Sequence, residues 1–485
     1  MAEGTFTERP RPDTSFERKV DNLVGIFSPK AKFDRLRFRM GYDALSRHRT
    51  QKKRPGTGGT GDTYLTGTNL YELREIHRDL MRNNPIVKGL LKSERDEVIG
   101  SGPKVQARSA DTKFNEKAEL LWKNEMLNKK CDVTGRFNFN QLLRILYLSY
   151  RRDGDAAVIL LDDRLQAVEG EQIGTPYASK SKPEFYDIIN GVAFAKEDNE
   201  LLGYYIGKAE KYGYIKNDSY KMYEAARVHH LFNPERISQS RGEPALTSSI
   251  DYIDKLSKYI DAEVVAAAVN ACFTVFISQQ NPSIPNAYTR GISSSGYDEK
   301  GNRLEKLEPG TIMYGDIGEK AVGIGNERPA ALFDPFVMRM LSMIARPLGI
   351  PLMLILLDYS GATFMNARIA YQQAQKTWVT EQSDVVVPFV SRVWLWFIAR
   401  MLAEKKLSAP DDAFVHEVIC NRWPYVDPYK EAIANKVELE NRTTTRKKIC
   451  ARNGDEFDDI VADIKKEEEI LSGLSGGKVD KGTQK

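Results

Sequence analysis

Cysteine and histidine are scarce in this 485-residue chain, with four of the first and five of the second, and no CxxC or HExxH pairing among them. Cys131, Cys272, Cys420 and Cys450 lie far apart, which argues against a zinc module and a disulfide-stapled secreted fold and points to a reducing compartment. An excess of one charge is also lacking: 71 basic and 67 acidic residues leave a net +4, so histone-like DNA binding by bulk charge is not available, although local patches are. Long uninterrupted apolar runs are missing too. Met1 to Ser28 is charged throughout and holds no core of signal-peptide length. Val264 to Ile277 is apolar but short of the roughly 20 residues a bilayer needs. Ala331 to Leu357 is long enough but is interrupted by Asp334, Arg339, Arg346, Pro347 and Pro351. Both segments read as buried helix in a soluble protein with no membrane contact.

What is present is ordinary globular composition, 41% hydrophobic and 28% charged, which excludes wholesale disorder. At about 150 residues per domain the length suggests roughly three domains. Ser28 to Pro55 carries ten Lys or Arg against two Asp, with Phe33, Leu36 and Phe38 between the charges. It reads as an extended arm that packs on a neighbour, with nucleic-acid binding as the alternative. Arg54 to Asp62 has the composition of a flexible linker.

Helical spacing is expected over 69–82, 85–99, 115–128 and 138–151, with Asn84-Pro85 and Gly100-Ser101-Gly102-Pro103 as stops. Between Ala156 and Phe232 short β-rich runs take over: 156–161, 203–207 and 228–232. The first half is therefore an α+β domain with a mostly antiparallel sheet. From Ala245 to Ser278 one long helix is expected, with Ile253, Leu256, Ile260, Val264, Ala267 and Ala271 on one stripe. Past Ala262 it is apolar on nearly every face, so neighbours must bury it. A Gly/Pro-rich excursion, 281–329, includes a short strand at Thr311 to Tyr314, and a helix returns over 330–345. After a kink at 346–351, a loop at 358–362 leads into a long helix ending near Glu404. Helices interrupted at Asn453-Gly454 follow, and beyond Leu471 the tail is expected to be disordered.

No catalytic constellation stands out. Gly56 to Gly61 formally matches GxGxxG, but a basic, proline-containing stretch precedes it where a phosphate loop needs a strand, so it reads as linker. His229 and His230 are neighbours on a strand and point to opposite faces, one toward the core and one toward solvent. Asp162-Asp163 and Asp411-Asp412 sit in turn-like contexts and read as caps. The acidic cluster Asp455, Glu456, Asp458, Asp459, Asp463 and Glu467 to Glu469 reads as a solvated helical face, with a metal site as the minor alternative. A hairpin of long helices with a polar tip leaves an apolar surface bare in a single copy. Closed rings cover such a surface with one repeated contact.

With these features in view, the chain resembles the lambda-like family of phage portal proteins over roughly 28–469. The resemblance rests on ordered motifs: Arg78 to Pro85, then Gly100-Ser101-Gly102, then His230 to Arg236 and Gln239 to Pro244 before the long helix. Leu307 to Gly310, Leu348 to Pro351, Asp358-Tyr359-Ser360 and Trp423 to Pro428 continue the series. The resemblance implies an α+β portal fold with wing, stem, clip and crown regions, assembled as a ring. On this chain the N-terminal basic arm and linker would be 1–62, the wing 63–244, stem helix 1 245–280 and the clip 281–329. Stem helix 2 and its kink would be 330–357, the tunnel loop 358–368, the long wing helix 369–404 and the helical crown 405–485.

The implied function is a dodecameric ring at the capsid portal vertex, a conduit for double-stranded DNA packaging and ejection. Implied partners are the terminase large subunit, the major capsid protein and a head–tail connector or adaptor, with assembly in the host cytoplasm, no cofactor and no enzymatic activity. The tunnel loop would include Asp358, Tyr359, Ser360, Gly361, Thr363, Asn366 and Arg368, although Thr363 to Arg368 departs from the family's usual stretch, so the loop's position carries over better than its side chains. Arg339, Arg346 and Arg368 are candidates for weak phosphate contacts or, alternatively, for ion pairs between subunits. Ile260, Val264, Ala267 and Ala271 are candidate interface residues. The rival readings are a metal-dependent DNA-processing enzyme using the acidic C-terminal region, and a scaffold or membrane-associated channel.

Overall fold

The computed structural model describes residues 59–176, 185–210, 215–277, 296–297, 303–304, 311–314, 333–361, 363–421, 423, 428–453 and 457–475. The chain divides into two compact units rather than the roughly three that its length suggests: Ser249–Arg346 form one, and the residues on either side form the other.

The larger unit starts with α1 (Gly67–Asn83) and α2 (Pro85–Ile99). Asn84 makes the break between them: its N–H donates to Leu80 O, its side chain accepts from Ile86 N and Val87 N, and Pro85 opens the next helix. β1 (Lys104–Ala107), α3 (Thr112–Glu125) and α4 (Phe139–Asp153) follow. A reciprocal capping box between Asn138 and Gln141 starts α4. Gly154 ends it at φ +93°, where a Cβ would also meet Gly242 O at 2.6 Å, so glycine is required there.

Next come β2 (Asp155–Leu160), β3 (Leu165–Glu169), β4 (Tyr186–Ile189), β5 (Val192–Ala195), β6 (Leu201–Ile206), β7 (Lys221–Glu224) and β8 (Val228–Phe232). They form two antiparallel sheets, β3-β2-β8 and the meander β4-β5-β6-β7. β2 is buried on both faces. Ala156, Val158 and Leu160 pack into the helical core, whereas Ala157 and Ile159 pack with Val192, Tyr204 and Ile206 of the meander. The period-two side-chain alternation of a strand thus places β2 between a helical layer and a second sheet.

The smaller unit holds α5 (Ile250–Cys272), β9 (Phe273–Ile277), the paired strands β10 (Gly296–Tyr297) and β11 (Arg303–Leu304), β12 (Thr311–Tyr314) and α6 (Phe333–Ala345). The helix expected over 245–278 is shorter at both ends. Its last residues, Phe-Thr-Val-Phe-Ile, are a strand that pairs parallel with the expected strand at 311–314. Aromatic and β-branched residues favour that extended form. Most of 281–329 lies outside the described residues.

The larger unit resumes with α7 (Leu352–Leu356) after Gly349 at φ +66°. A helix from Phe364 to Ala403 then runs as α8 (Phe364–Glu381), one π-helical stretch, Gln382–Val386, and α9 (Val387–Ala403). Pro388 lacks the N–H that a regular α-ladder needs there, and Gln382, at the start of the stretch, anchors it by donating its side-chain amide to Val98 O at 2.8 Å and Asn421 O at 3.0 Å.

By length and composition Met365–Ala403 could cross a membrane, a candidate that the sequence reading did not single out. Half of its apolar window is buried, and Phe389, Val390, Val393, Trp394, Phe397, Ile398 and Met401 have no exposed surface, as in a core helix. β13 (His416–Ile419) pairs antiparallel with β1. α10 (Pro428–Glu440), α11 (Arg446–Asn453) and α12 (Phe457–Ser475) end the described chain, so helix continues four residues past the expected boundary at Leu471.

Candidate functional site

In the larger unit, Asp155, at the start of β2, is fully withdrawn from water. Its Oδ1 accepts from Arg74 at 2.8 Å, and its Oδ2 accepts from Arg241 and faces His230 Nε2 at 3.2 Å. Arg241 also donates to Gly170 O, to Ile173 O at 2.8 Å and to Asn190 O at 2.8 Å. Burial alone would raise the Asp155 carboxyl, but Arg241 and Arg74 hold it well below the usual range. The motif Gln239 to Pro244 therefore has a structural role: Arg241 ties β2 to the start of the meander.

A second buried group joins α2, α4 and α8. Arg151 donates to Glu94 at 2.6 and 3.0 Å and to Glu381 at 3.3 Å, and Tyr150 OH also reaches Glu381. Burial pushes the Glu94 carboxyl up against the opposing pull of Arg151.

His229 and His230 point to opposite faces as expected, but neither turns to solvent. His229 packs on Phe389 at 5.2 Å and His230 on Tyr204 at 5.3 Å. Burial, with Arg392 and His230 adding to it, pushes His229 down to about 4, and burial pushes His77 down to about 4. The linker reading of 54–62 fails at its end: Gly61 N donates to Ser238 Oγ at 2.7 Å, and Asp62 accepts from Ser240. Residues 56–58 lie outside the described residues, as do Asp455 and Glu456 of the acidic cluster.

The loop after α7 is shorter than expected. Leu357 closes α7 in the left-handed region at φ 53°, and Asp358 Oδ1 accepts from Ser360 N at 2.9 Å. That bond, on an exposed side chain, lowers the Asp358 carboxyl. Thr363 Oγ1 then accepts from Asn366 N and starts α8. Asn366 and Arg368 are therefore helical residues, not loop residues. Thr363 ahead of Phe-Met-Asn was the local signal for this boundary. Around the loop Leu357, Tyr359, Met365 and Ile369 are exposed, an apolar rim that the motif comparison missed although Met365 and Ile369 have helical spacing.

In the smaller unit, the N-terminal half of α5 is conventional. Lys255 pairs with Asp251 and Lys258 with Asp254 on the outside, while Ile253 and Leu256 are buried. Tyr259 stacks on Phe333 of α6, and Ser249 Oγ donates to Ile344 O at 3.0 Å. Past this point the stripe opens: Ile260 is half-buried, while Val264 and Val265 are each 62% exposed and Ala267 is exposed. The expected burial is not supplied among the described residues. Of Ala271 only the helical backbone is described.

On α6, Met340, Leu341 and Ile344 face inward. Phe336, Arg339, Met343 and Arg346 follow one another at spacings of three and four residues on the outward face, all exposed. Arg339, Arg346 and the half-buried Arg368 have no carboxylate partner among the described residues. Arg339 and Arg346 belong to the smaller unit, Arg368 and the loop to the larger.

The profile of a family described as "Phage portal protein, lambda family" matches residues 47–382. The "Probable portal protein" of Halomonas phage phiHAP-1 is 23% identical over 423 residues, covering 81% of this chain and 79% of its own length. "Portal protein B" of Escherichia phage lambda is 19% identical over 439 residues, covering 79% of this chain and 81% of its own. Among solved structures, a chain in the neck of an empty gene transfer agent particle aligns with TM-score 0.40 and 14% identity, over 78% of this chain and 93% of that one. A chain in the neck of the native particle aligns with TM-score 0.39 and 12% identity, over 78% and 93%.

Proposed function

Because this chain belongs to the lambda family of phage portal proteins, we propose that it assembles as a dodecameric ring at one capsid vertex, through which double-stranded DNA is packaged and later ejected. As a portal protein it is a structural component of the phage particle and not an enzyme. The observation that carries the ring reading is the bare stretch of α5. Val264, Val265 and Ala267 lie on a regular helix, yet they are exposed among the described residues. A head-to-tail contact repeated around a closed ring covers such a surface in every copy.

In this reading 63–244 and the helix over 364–403 form the wing, and 245–280 with 330–357 form the stem. Residues 281–329 are the clip, 358–363 the tunnel loop and 405–485 the crown. The clip docks the terminase large subunit and later a head–tail connector, and the outer wall meets the major capsid protein. A conduit must let DNA slide, so contacts to phosphate that ignore sequence suit it. Arg339 and Arg346, without carboxylate partners among the described residues, fit that demand.

The test is the solution mass of the purified protein, with electron micrographs of the same fraction. A particle near twelve times 54.9 kDa with a central hole is expected. A stable small dimer without a channel would refute the ring.

A further inference from the structure

The loop after β8 is ordered by its own hydrogen bonds. Gln239 Oε1 accepts from Glu235 N at 2.9 Å and Arg236 N at 3.3 Å, Arg236 donates to Gly59 O and Thr60 O, and Ser238 Oγ accepts from Gly61 N. On this tethered loop Ile237 is fully exposed, at 108%. A branched aliphatic side chain held out by a fixed backbone gains nothing inside its own chain, and its burial has to come from elsewhere.

At the other end of β8, Arg227 and the outer side of α9 enclose an open groove of about 490 Å³. Leu395, Trp396 and Ala399 line it. Trp396 is fixed by its Nε1–H donating to Leu161 O at 2.9 Å. Arg392, on its rim, donates to Ala225 O and Ala226 O and has no carboxylate partner among the described residues. Glu235, two residues from Ile237, is exposed and has no cation partner among them. Shape and charge therefore match: an apolar projection beside a carboxylate, and a groove with an apolar floor whose lining sets Arg227, Arg392 and Arg400 against one carboxylate, Asp162. β8 is five residues, about 17 Å, long, so projection and groove lie at opposite ends of one strand. A head-to-tail contact requires two different patches on each subunit, and the projection and the groove are two such patches.

We propose that Ile237 of one copy seats in the α9 groove of the next copy, with Glu235 meeting Arg392, as a subunit contact of the assembly. The inference rests on the ring reading, and its test separates the two. Full-length Ile237→Cys/Ala399→Cys and each single variant are assembled and oxidised. A ladder of disulfide-linked multimers is expected from the double variant alone, with a 237–399 linked peptide in the mass spectrum. Rings without that ladder overturn this contact and leave the ring standing, whereas a wild type that never exceeds a monomer removes both. Ile237→Asp, at a position outside the core, should raise the concentration for half-assembly more than about tenfold. Assembly at the wild-type concentration would also overturn the contact.

Discussion

Replacing Asp155 with alanine removes the anion that two buried guanidiniums and a buried imidazole share. Arg74, Arg241 and His230 stay enclosed, and among the described residues no other carboxylate is within ion-pair distance of Arg241. Breaking a buried pair by removing one partner costs about 3–5 kcal/mol, a large part of the roughly 5–15 kcal/mol that holds a domain together. Asp155→Asn keeps an acceptor but loses the charge, so about half that cost is expected. All five tryptophans, Trp122, Trp378, Trp394, Trp396 and Trp423, lie in the same unit as Asp155, so their fluorescence follows this unit selectively. With a urea slope of about 3 kcal/mol/M the alanine midpoint should fall by about 1–2 M. Asp162→Ala, at an exposed carboxylate, should stay within about 0.5 kcal/mol of wild type. Equal midpoints for Asp155→Ala and Asp162→Ala would refute the role given to this network. The sign with pH is also fixed. A carboxyl held below its ordinary value contributes stability above about 3.9 and loses it only as pH falls through the depressed value, so Asp155 adds no pH dependence between about 5 and 8.

Acid sensitivity comes instead from buried histidines: His230, lowered by burial, and His77 and His229, both pushed from 6.5 to about 4. The contribution of the last two is complete above 6.5 and wanes as pH falls toward 4, where each has lost about 3 kcal/mol; His77→Gln should flatten the acid limb of a stability-versus-pH titration, and an unchanged slope would count against it. Ala267→Glu places a charge on the bare stretch of α5 and should abolish assembly while leaving tryptophan fluorescence native; rings at wild-type yield would overturn the interface assignment. Deleting Ser360 to Ala362 spares the Thr363 cap and should leave rings intact while impairing DNA packaging or retention in a packaging assay, and normal packaging would remove the loop from the mechanism.

Local chemistry made much of this architecture legible. Asn84-Pro85 and Gly100 marked helix ends, and the run from Ala156 to Leu161 marked the central strand. What escaped depends on partners distant in sequence. Phe273 to Ile277 continues an apolar helical pattern, and only pairing with Thr311 to Tyr314 pulls it into a strand. Gln239 to Pro244 was recognisable as a motif, but Arg241 meets its carboxylate 86 residues away, and no spacing rule links the two. The expectation that one of His229 and His230 faces solvent holds for a strand with one wet face. β8 instead has packed side chains on both faces. The candidate site was legible in position more than in detail: the loop after α7 was located, whereas its exposed apolar rim and the helical placement of Asn366 and Arg368 were not.

The π-helical stretch at Gln382–Val386 has the geometry of an α-helix carrying one surplus residue. Its consequence is angular. Each residue of an α-helix turns the chain by about 100° and advances it 1.5 Å, so the surplus residue sets the azimuth at which α8 leaves the anchored α9. Were that segment one residue shorter and regular, Met365, Arg368 and Ile369 would face a different direction about the helix axis, and the turn at Asp358 would swing with them. A local residue count thus acts as a phase setting for everything on the far side of Glu381, independent of which side chains the loop carries.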